Sequence, residues 1–338
     1  MTARWPPSDK TMTISQSMLS LFNLPVTPRD GHSSADQKIK ESSMSLMRYL
    51  GLTKLSTAEL AEIYTNDNSR FFHYRGDNIH YRVEGSQDEN APVLIMLHGI
   101  MASLQTWDGW VEHLKGKYRI VRLDVPGFGL SGAISDGDTS IEGIVDRINA
   151  LLEHLKLEKA VLVGNSLGGY ISWSFAAEHP EKVQALVLLD AAGYPMQLPL
   201  IMKLFTTPYL RHLVRVATPQ FVVRYILGEV YGDKRRIAEE KIPCYQDMML
   251  HKGNPLSLLK IFEELDNMTP ERVSDVTAPT LIQWGEKDIW ITPKNAPLFH
   301  RDIKGSELIT YPGVGHVPME EIPEQSVKDA EEFLSRVL

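Results

Sequence analysis

Between Val93 and Asp190, short apolar runs alternate with amphipathic segments, and this alternation restricts the fold more than any other feature of the sequence. Compact apolar runs are typical of strands that are covered on both faces. Strands are predicted at 93–97, 118–123, 160–163 and 185–189, and helices at 107–114, 141–155 and 167–178. Strands that alternate with helices indicate right-handed crossovers and a mostly parallel sheet, so the chain is predicted to be of the α/β class.

The segments before and after residues 93–190 add further strands and helices to this core, and one helical segment interrupts it. A hairpin is predicted from two strands, Phe71–Arg75 and Ile79–Val83, with its turn at Gly76-Asp77-Asn78. From Tyr194 to about Met268 there are helical stripes and no convincing strand. The alternation resumes with strands at 280–284 and 307–310 and a closing helix at 324–337. We therefore predict an α/β core over 70–190 and 269–338, with a helical cap over 191–268.

Residues 1–69 are predicted to form an N-terminal arm followed by short helices. Prolines and Ser/Thr residues dominate up to about residue 35, and two helices are expected to break near Gly51. The arm either packs on the body, which we favour, or anchors the protein to a membrane surface. No signal peptide is recognisable, and no apolar run approaches the ~18 residues of a membrane span, so a cytoplasmic location is expected.

Composition and motif content argue against nucleic-acid binding, an internal disulfide and a bound metal. The chain is 43% hydrophobic and 23% charged, as is typical of globular proteins, and its net charge of −8 argues against a nucleic-acid partner. Its single cysteine, Cys244, excludes an internal disulfide. Metal-binding motifs are also missing from the sequence, and we expect neither a metal nor another cofactor.

The segment Gly164-Asn165-Ser166-Leu167-Gly168 lies between a predicted strand and a predicted helix. A serine nucleophile at such a turn needs small neighbours, because the turn is tight and strained. Ser166 is therefore the candidate nucleophile. Gly169 would let the helix approach the sheet closely.

A serine hydroxyl needs a base, and the base needs an orienting acid. His316 follows the last predicted strand, in Pro312-Gly313-Val314-Gly315-His316, and is the candidate base. Asp288 lies in the loop after the preceding strand and is the favoured acid. Glu286, in the same loop, is the residue that could be confused with Asp288. Asp190, which follows an earlier strand, is the alternative position for the acid.

An oxyanion hole requires two backbone N–H groups that point at the developing negative charge. One is expected from Leu167, directly after the nucleophile. The other is expected from Ile100, in the loop His98-Gly99-Ile100-Met101 that follows the Val93–Leu97 strand. His98 is expected to brace this loop by a hydrogen bond rather than to act in catalysis.

These motifs together resemble the α/β-hydrolase superfamily, over about residues 70 to 338. The resemblance is carried by His98-Gly99, by the Ser166 elbow and by three further segments, which are Asp124-Val125-Pro126-Gly127-Phe128-Gly129-Leu130-Ser131, Trp284-Gly285-Glu286-Lys287-Asp288 and Pro312–His316. It implies an eight-stranded, mostly parallel sheet with a helical cap after the sixth strand, and it is strongest with bacterial esterase and lipase-like serine hydrolases.

The resemblance implies hydrolysis of carboxylic esters, with short- to medium-chain acyl groups or monoacylglycerol-like substrates, through an acyl-enzyme. A serine at the elbow departs from the aspartate of epoxide hydrolases and dehalogenases. Carbon–carbon bond hydrolysis, perhydrolysis on the same triad and a non-catalytic binding role stay open. The cap segment 195–231 mixes apolar residues with Lys203, Arg211, Arg215 and Arg224. It is interpreted as a lid over the substrate, with weak contact to a membrane or lipid surface as the alternative.

Overall fold

The computed structural model describes residues 45–195, 217–266 and 268–338. Most of the predicted N-terminal arm and the cap residues 196–216, including Lys203, Arg211 and Arg215, lie outside these ranges. The proposed roles of those segments and the domain boundaries therefore stay predictions. A compact unit spans Leu50–Leu338. Among the described residues, no helix combines the length and the apolar character needed to cross a membrane.

One eight-stranded sheet forms the centre of this unit, in the order β1-β2-β4-β3-β5-β6-β7-β8. The strands are β1 Ser69–Tyr74, β2 Asp77–Gly85, β3 Val93–Leu97, β4 Arg119–Leu123, β5 Ala160–Asn165, β6 Val183–Leu189, β7 Thr280–Gly285 and β8 Glu307–Tyr311. β2 is antiparallel to both of its neighbours, and all other pairs are parallel. The predicted mostly parallel α/β fold is confirmed.

Helices cover both faces of the sheet, as crossover connections require. Including those of the cap, the helices assigned in the described residues are α1 Thr57–Tyr64, α2 Asp108–Leu114, α3 Ile141–His154, α4 Leu167–Glu178, α5 Gln220–Val230, α6 Lys241–Leu250, α7 Asn254–Asp266, α8 Ala296–Asp302, α9 Pro318–Glu321 and α10 Pro323–Val337. Short 3₁₀ turns occupy Leu104–Trp107, Pro180–Lys182, Lys234–Arg236, Val273–Asp275 and Pro293–Asn295. Every residue of β3, β5 and β7 is buried, which explains why these strands are apolar without alternation.

The hairpin turn differs from the sequence prediction. It lies at Arg75-Gly76 rather than at Gly76-Asp77-Asn78, and Tyr74 pairs directly with Asp77. Arg75 and Gly76 both have positive φ, 50° and 86°, as a two-residue turn of this twist requires. Arginine is unusual at such a position. The prediction was wrong because it assigned the turn to Gly, Asp and Asn, the residue types that most often form turns.

The cap is represented by α5, α6 and α7, which lie between β6 and β7 in the chain. The second of the two helices expected around Gly51 is α1, and Ser56 and Glu59 cap its N-terminus reciprocally. The chain bends at Gly51, which has a φ of 69°.

Candidate active site

Ser166 stands at the turn between β5 and α4, where the sequence places the nucleophile. Its backbone has φ 56° and ψ −117°, a conformation that non-glycine residues rarely adopt. The backbone oxygen of Ser166 accepts hydrogen bonds from the N–H groups of Tyr170 and Ala192, each at 3.0 Å. The strained residue is therefore held from both the helix and the loop after β6.

The two glycines that flank Ser166 are required by close backbone contacts. A Cβ atom on Gly164 would lie 2.2 Å from the Gly168 oxygen, and one on Gly168 would lie 2.1 Å from the Leu97 oxygen. Real Cβ atoms do not approach backbone atoms this closely. The Gly-x-Ser-x-Gly spacing therefore reflects the space available between β3, β5 and α4.

His316 and Asp288 are paired, as the sequence suggests. His316 Nδ1 lies 2.7 Å from Asp288 Oδ2, and both side chains are almost fully buried. The other carboxylate oxygen, Oδ1, accepts the backbone N–H groups of Trp290 at 2.7 Å and Ile291 at 3.0 Å. With the proton on Nδ1, the opposite nitrogen of His316 is left as the basic atom. The Trp290 ring stacks against the imidazole, with centroids 6.0 Å apart.

Asp190, the alternative acid, lies beside this pair but makes different contacts. Its Oδ1 accepts the N–H of Gly285 at 2.9 Å, and the side chain is fully buried. Burial raises the pKa of Asp190 well above its ordinary value, and the nearby Asp288 charge raises it further. Asp190 therefore holds its proton more tightly than an exposed carboxyl group does.

The carboxylate and imidazole groups of Asp190, Asp288 and His316 approach within 4.8 Å of one another, as a metal site would also require. However, Asp288 uses both oxygens in hydrogen bonds, one of them to His316. These bonds favour a proton-transfer arrangement over metal ligation by the same atoms.

The loop after β3 lies directly against Ser166. A Cβ atom on Gly99 would be 3.0 Å from the Ser166 Cβ, so the loop could not approach as closely with a larger residue. Leu167 begins α4, and N–H groups in the first turn of a helix have no partner within it. Ile100 and Ser166 line the same cavity. This arrangement suits the predicted oxyanion donors, Ile100 and Leu167.

His98 braces this loop, as expected. Its Nδ1 lies 2.7 Å from the Gly99 oxygen, and its Nε2 accepts the Val125 N–H at 2.9 Å. Burial lowers the pKa of His98, which keeps the ring neutral with its proton on Nδ1.

The cavity at Ser166 has a volume of about 500 Å³, which includes space that is open to solvent. Ser166, His316, Asn165 and Thr106 are polar residues in its wall, and the cap contributes Val223, Ile226, Leu227 and Val230 from α5, with Tyr245 and Met249 from α6. This largely apolar lining can accept an acyl or aromatic group, and the described part of the cap forms one side of it.

Two residues that hold the histidine loop were not identified from the sequence. Asn165 Nδ2 donates to the His316 oxygen at 2.9 Å, so the elbow itself fixes the position of the base. Glu321, fully buried, accepts the N–H groups of Gly315 at 2.8 Å, Gly232 at 2.9 Å and Asp233 at 2.9 Å. The signal that the sequence offered was an acidic residue shortly after the candidate base His316.

Comparison with known proteins agrees with this architecture. A family model for the alpha/beta hydrolase fold matches residues 92–323. An uncharacterized hydrolase, YugF, of Bacillus subtilis is 30% identical over 275 residues, which cover 78% of this chain and 97% of that protein. Monoacylglycerol lipase abhd6-A of Xenopus laevis is 27% identical over 285 residues, 79% of this chain and 82% of that protein.

A thermophilic esterase of Thermogutta terrifontis has a similar structure, with a TM-score of 0.67 and 24% identity. The match covers 79% of this chain and 97% of the esterase, and at this identity it supports the fold alone. Because the family model spans well over half of the sequence, and the sheet order and the serine turn agree with it, the chain belongs to the alpha/beta hydrolase fold family.

Proposed function

We propose that the protein is a serine hydrolase that cleaves carboxylic esters through an acyl-enzyme. The observation that carries the proposal is the shared cavity of Ser166 and His316, in which the histidine is already oriented by Asp288 at 2.7 Å. A protein that only binds a ligand has no need for a strained serine beside a correctly paired histidine.

In this proposal, Ser166 Oγ attacks the ester carbonyl carbon and its proton passes to His316. Asp288 stabilises the imidazolium that forms, and the N–H groups of Ile100 and Leu167 hold the oxyanion. The alcohol leaves with the proton from His316. A water molecule then attacks the acyl-enzyme carbonyl while His316 takes its proton. His316 passes this proton to Ser166 Oγ, which releases the acid and restores Ser166.

The apolar cavity supports substrates with a short- to medium-chain acyl group, including monoacylglycerol-like esters. Its aliphatic cap residues suit contact with an alkyl chain. The similarity to a monoacylglycerol lipase points to the same class of substrate.

The deciding experiment combines a substrate panel with active-site labelling. The panel contains p-nitrophenyl esters and monoacylglycerols graded by acyl length, with a carbon–carbon bond substrate and peracid formation as rival activities. Ser166→Ala is expected to lower kcat by at least ~10³-fold with the fold intact, because triad residues act as a unit.

A fluorophosphonate probe is expected to label wild type at Ser166 alone. Ser335→Ala, at an exposed serine on α10, is the matched control and should retain activity and labelling. Labelling at another residue, an active Ser166→Ala protein or preference for a rival reaction would overturn the proposal.

A further inference from the structure

A buried glutamate on α9 joins the core to the cap. The side chain of Glu320 is only 1% exposed. Its Oε1 accepts hydrogen bonds from Thr106 Oγ1 and from Tyr245 OH, the latter at 2.7 Å. Its Oε2 accepts the hydroxyl of Tyr231 at 2.6 Å and lies 3.0 Å from Lys241 Nζ. Four donors from three separate segments therefore meet at one carboxylate.

These donors keep the Glu320 side chain charged. Burial by itself would raise the pKa of Glu320, but the charge of Lys241 and the three hydroxyl groups outweigh it and hold that pKa below its ordinary value. Burial and the charge of Glu320 raise the pKa of Tyr245 well above its ordinary value, so this hydroxyl keeps its proton. Hydrogen bonds to an ionised carboxylate are among the stronger ones in proteins, so they hold the donor groups firmly in place.

Two of the four partners also line the cavity that contains the candidate nucleophile. Thr106, in the 3₁₀ turn after β3, and Tyr245, in α6, are part of its wall, whereas Glu320, Tyr231 and Lys241 are not among its lining residues. The hydroxyl groups of Thr106 and Tyr245 are both engaged by Glu320. What Tyr245 offers a substrate is therefore chiefly its ring, at a position that the bond to Glu320 fixes.

The same carboxylate holds α6 along one face. Lys241 and Tyr245 are four residues apart, so they lie on the same side of the helix, and both reach Glu320. Met249, one turn further along, lines the cavity together with Tyr245. The bonds to Glu320 therefore set the position of this helix, and with it one side of the cavity, relative to the core.

We propose that Glu320 is a positioning residue for substrate recognition, which fixes Tyr245 and α6 against the core and so determines which acyl lengths the protein prefers. The inference rests on the proposed ester hydrolysis, in which the apolar cap side of the cavity receives the acyl chain. Glu321, the next residue, holds the loop of the base through the Gly315 N–H. Two adjacent carboxylates on α9 thus have separate tasks, since one positions the base and the other positions the substrate.

The test compares two tyrosine-to-phenylalanine variants that each remove one hydrogen bond to the same carboxylate. Tyr245→Phe releases a residue that lines the cavity, and Tyr231→Phe, the matched control, releases one that does not. The substrates are p-nitrophenyl acetate and a series of p-nitrophenyl esters with longer acyl chains.

Tyr245→Phe is expected to raise KM for the acyl length that wild type prefers by about threefold to tenfold, the effect of one lost hydrogen bond, with little change in kcat. KM for the acetate should hardly change, because a methyl group makes little contact with the cap wall. Tyr231→Phe should lower Tm about as much as Tyr245→Phe and yet keep the wild-type length preference.

Glu320→Met connects the effect to the carboxylate. It is expected to weaken the length preference at least as much as Tyr245→Phe does. Adding Tyr245→Phe to it should cause no further change, because the bond that the second substitution removes is already lost. Since the loss of four bonds could unfold Glu320→Met, the comparison of the two tyrosine variants is designed to stand without it.

Three results would overturn the inference. They are an unchanged length preference in Tyr245→Phe, an equal shift in Tyr245→Phe and Tyr231→Phe, and an additive effect of Tyr245→Phe in folded Glu320→Met. The second would mean that Glu320 only stabilises the fold. Failure of the ester-hydrolase proposal itself is distinguishable, because wild type would then neither turn over any ester of the series nor take the fluorophosphonate label at Ser166.

Discussion

The carboxyl oxygens of Asp190 and Asp288 lie within 4.8 Å of each other, yet the two acids have different hydrogen-bond partners. Asp288 is held by two backbone N–H groups and by His316, which favour its charge. Asp190 is buried, and its burial and the neighbouring charge raise its pKa. Paired acids whose environments separate their pKa values commonly have separate roles, and only Asp288 contacts the histidine.

Asp288→Asn is expected to lower kcat on the order of 10⁴-fold, because the amide no longer selects the correct tautomer of His316. Asp190→Asn should have a mild effect on turnover, since asparagine can still accept the Gly285 N–H. Steady-state kinetics with the best p-nitrophenyl ester as substrate measures kcat for both variants. The reversed order of effects would assign the triad acid to the loop after β6.

Asp190 also predicts a pH dependence of stability. A carboxyl group in an unfolded chain has a pKa of about 3.9, whereas burial raises that of Asp190 in the folded protein. Between these two values the folded state retains a proton that the unfolded state releases, so this group's stabilising contribution falls as the pH rises. Asparagine cannot ionise and avoids that loss.

The Tm difference between Asp190→Asn and wild type should therefore become more favourable to the variant as the pH rises above the unfolded pKa of about 3.9. All other titrating groups are common to the two proteins. A constant difference, or a trend in the opposite direction, would show that Asp190 is ionised in the folded protein.

Gly168→Ala is expected to destabilise the protein by about 3 kcal/mol or more, because the new Cβ would lie 2.1 Å from the Leu97 oxygen and the backbone would have to shift. Denaturant unfolding measures the loss. Gly116→Ala is the control, since a Cβ there meets nothing within 4 Å. Similar stability of the two variants would mean that α4 can move away from β3 at little cost.

Glu321→Gln is expected to cost about 1–3 kcal/mol of stability, because its amide NH₂ would face a backbone N–H that now donates to a carboxylate oxygen. The kcat should fall by on the order of 10- to 100-fold as His316 is displaced, with a smaller change in KM. Glu324→Gln, at an exposed position on α10, should change neither. An unaltered kcat in Glu321→Gln would limit its role to stability.

Sequence patterns predicted most of the core, because the buried parallel strands are continuous apolar runs. The helices were recognisable from their clear apolar stripes. The helix 167–178 was predicted with the bounds that the structure gives. The hairpin turn was misplaced because tertiary context, rather than residue preference, puts Arg75 at a positive φ.

The candidate site was predictable where chemistry demands a residue type at a fixed place in the topology, as for Ser166, His316 and Asp288. The supporting contacts of Asn165 and Glu321 were not predictable, because they join segments far apart in the chain through backbone groups that have no sequence signature.

The junction between the cap and the histidine loop has a consequence for grafting caps between relatives. The His316 N–H donates to the Val230 oxygen at 2.7 Å, and a Cβ on Gly232 would lie 2.4 Å from the Gly313 oxygen. A transplanted cap with any side chain at the Gly232 position would push directly on the segment that carries the base. Chimeras should therefore keep this core and the stretch Val230–Asp233 together, and vary the cap only beyond it.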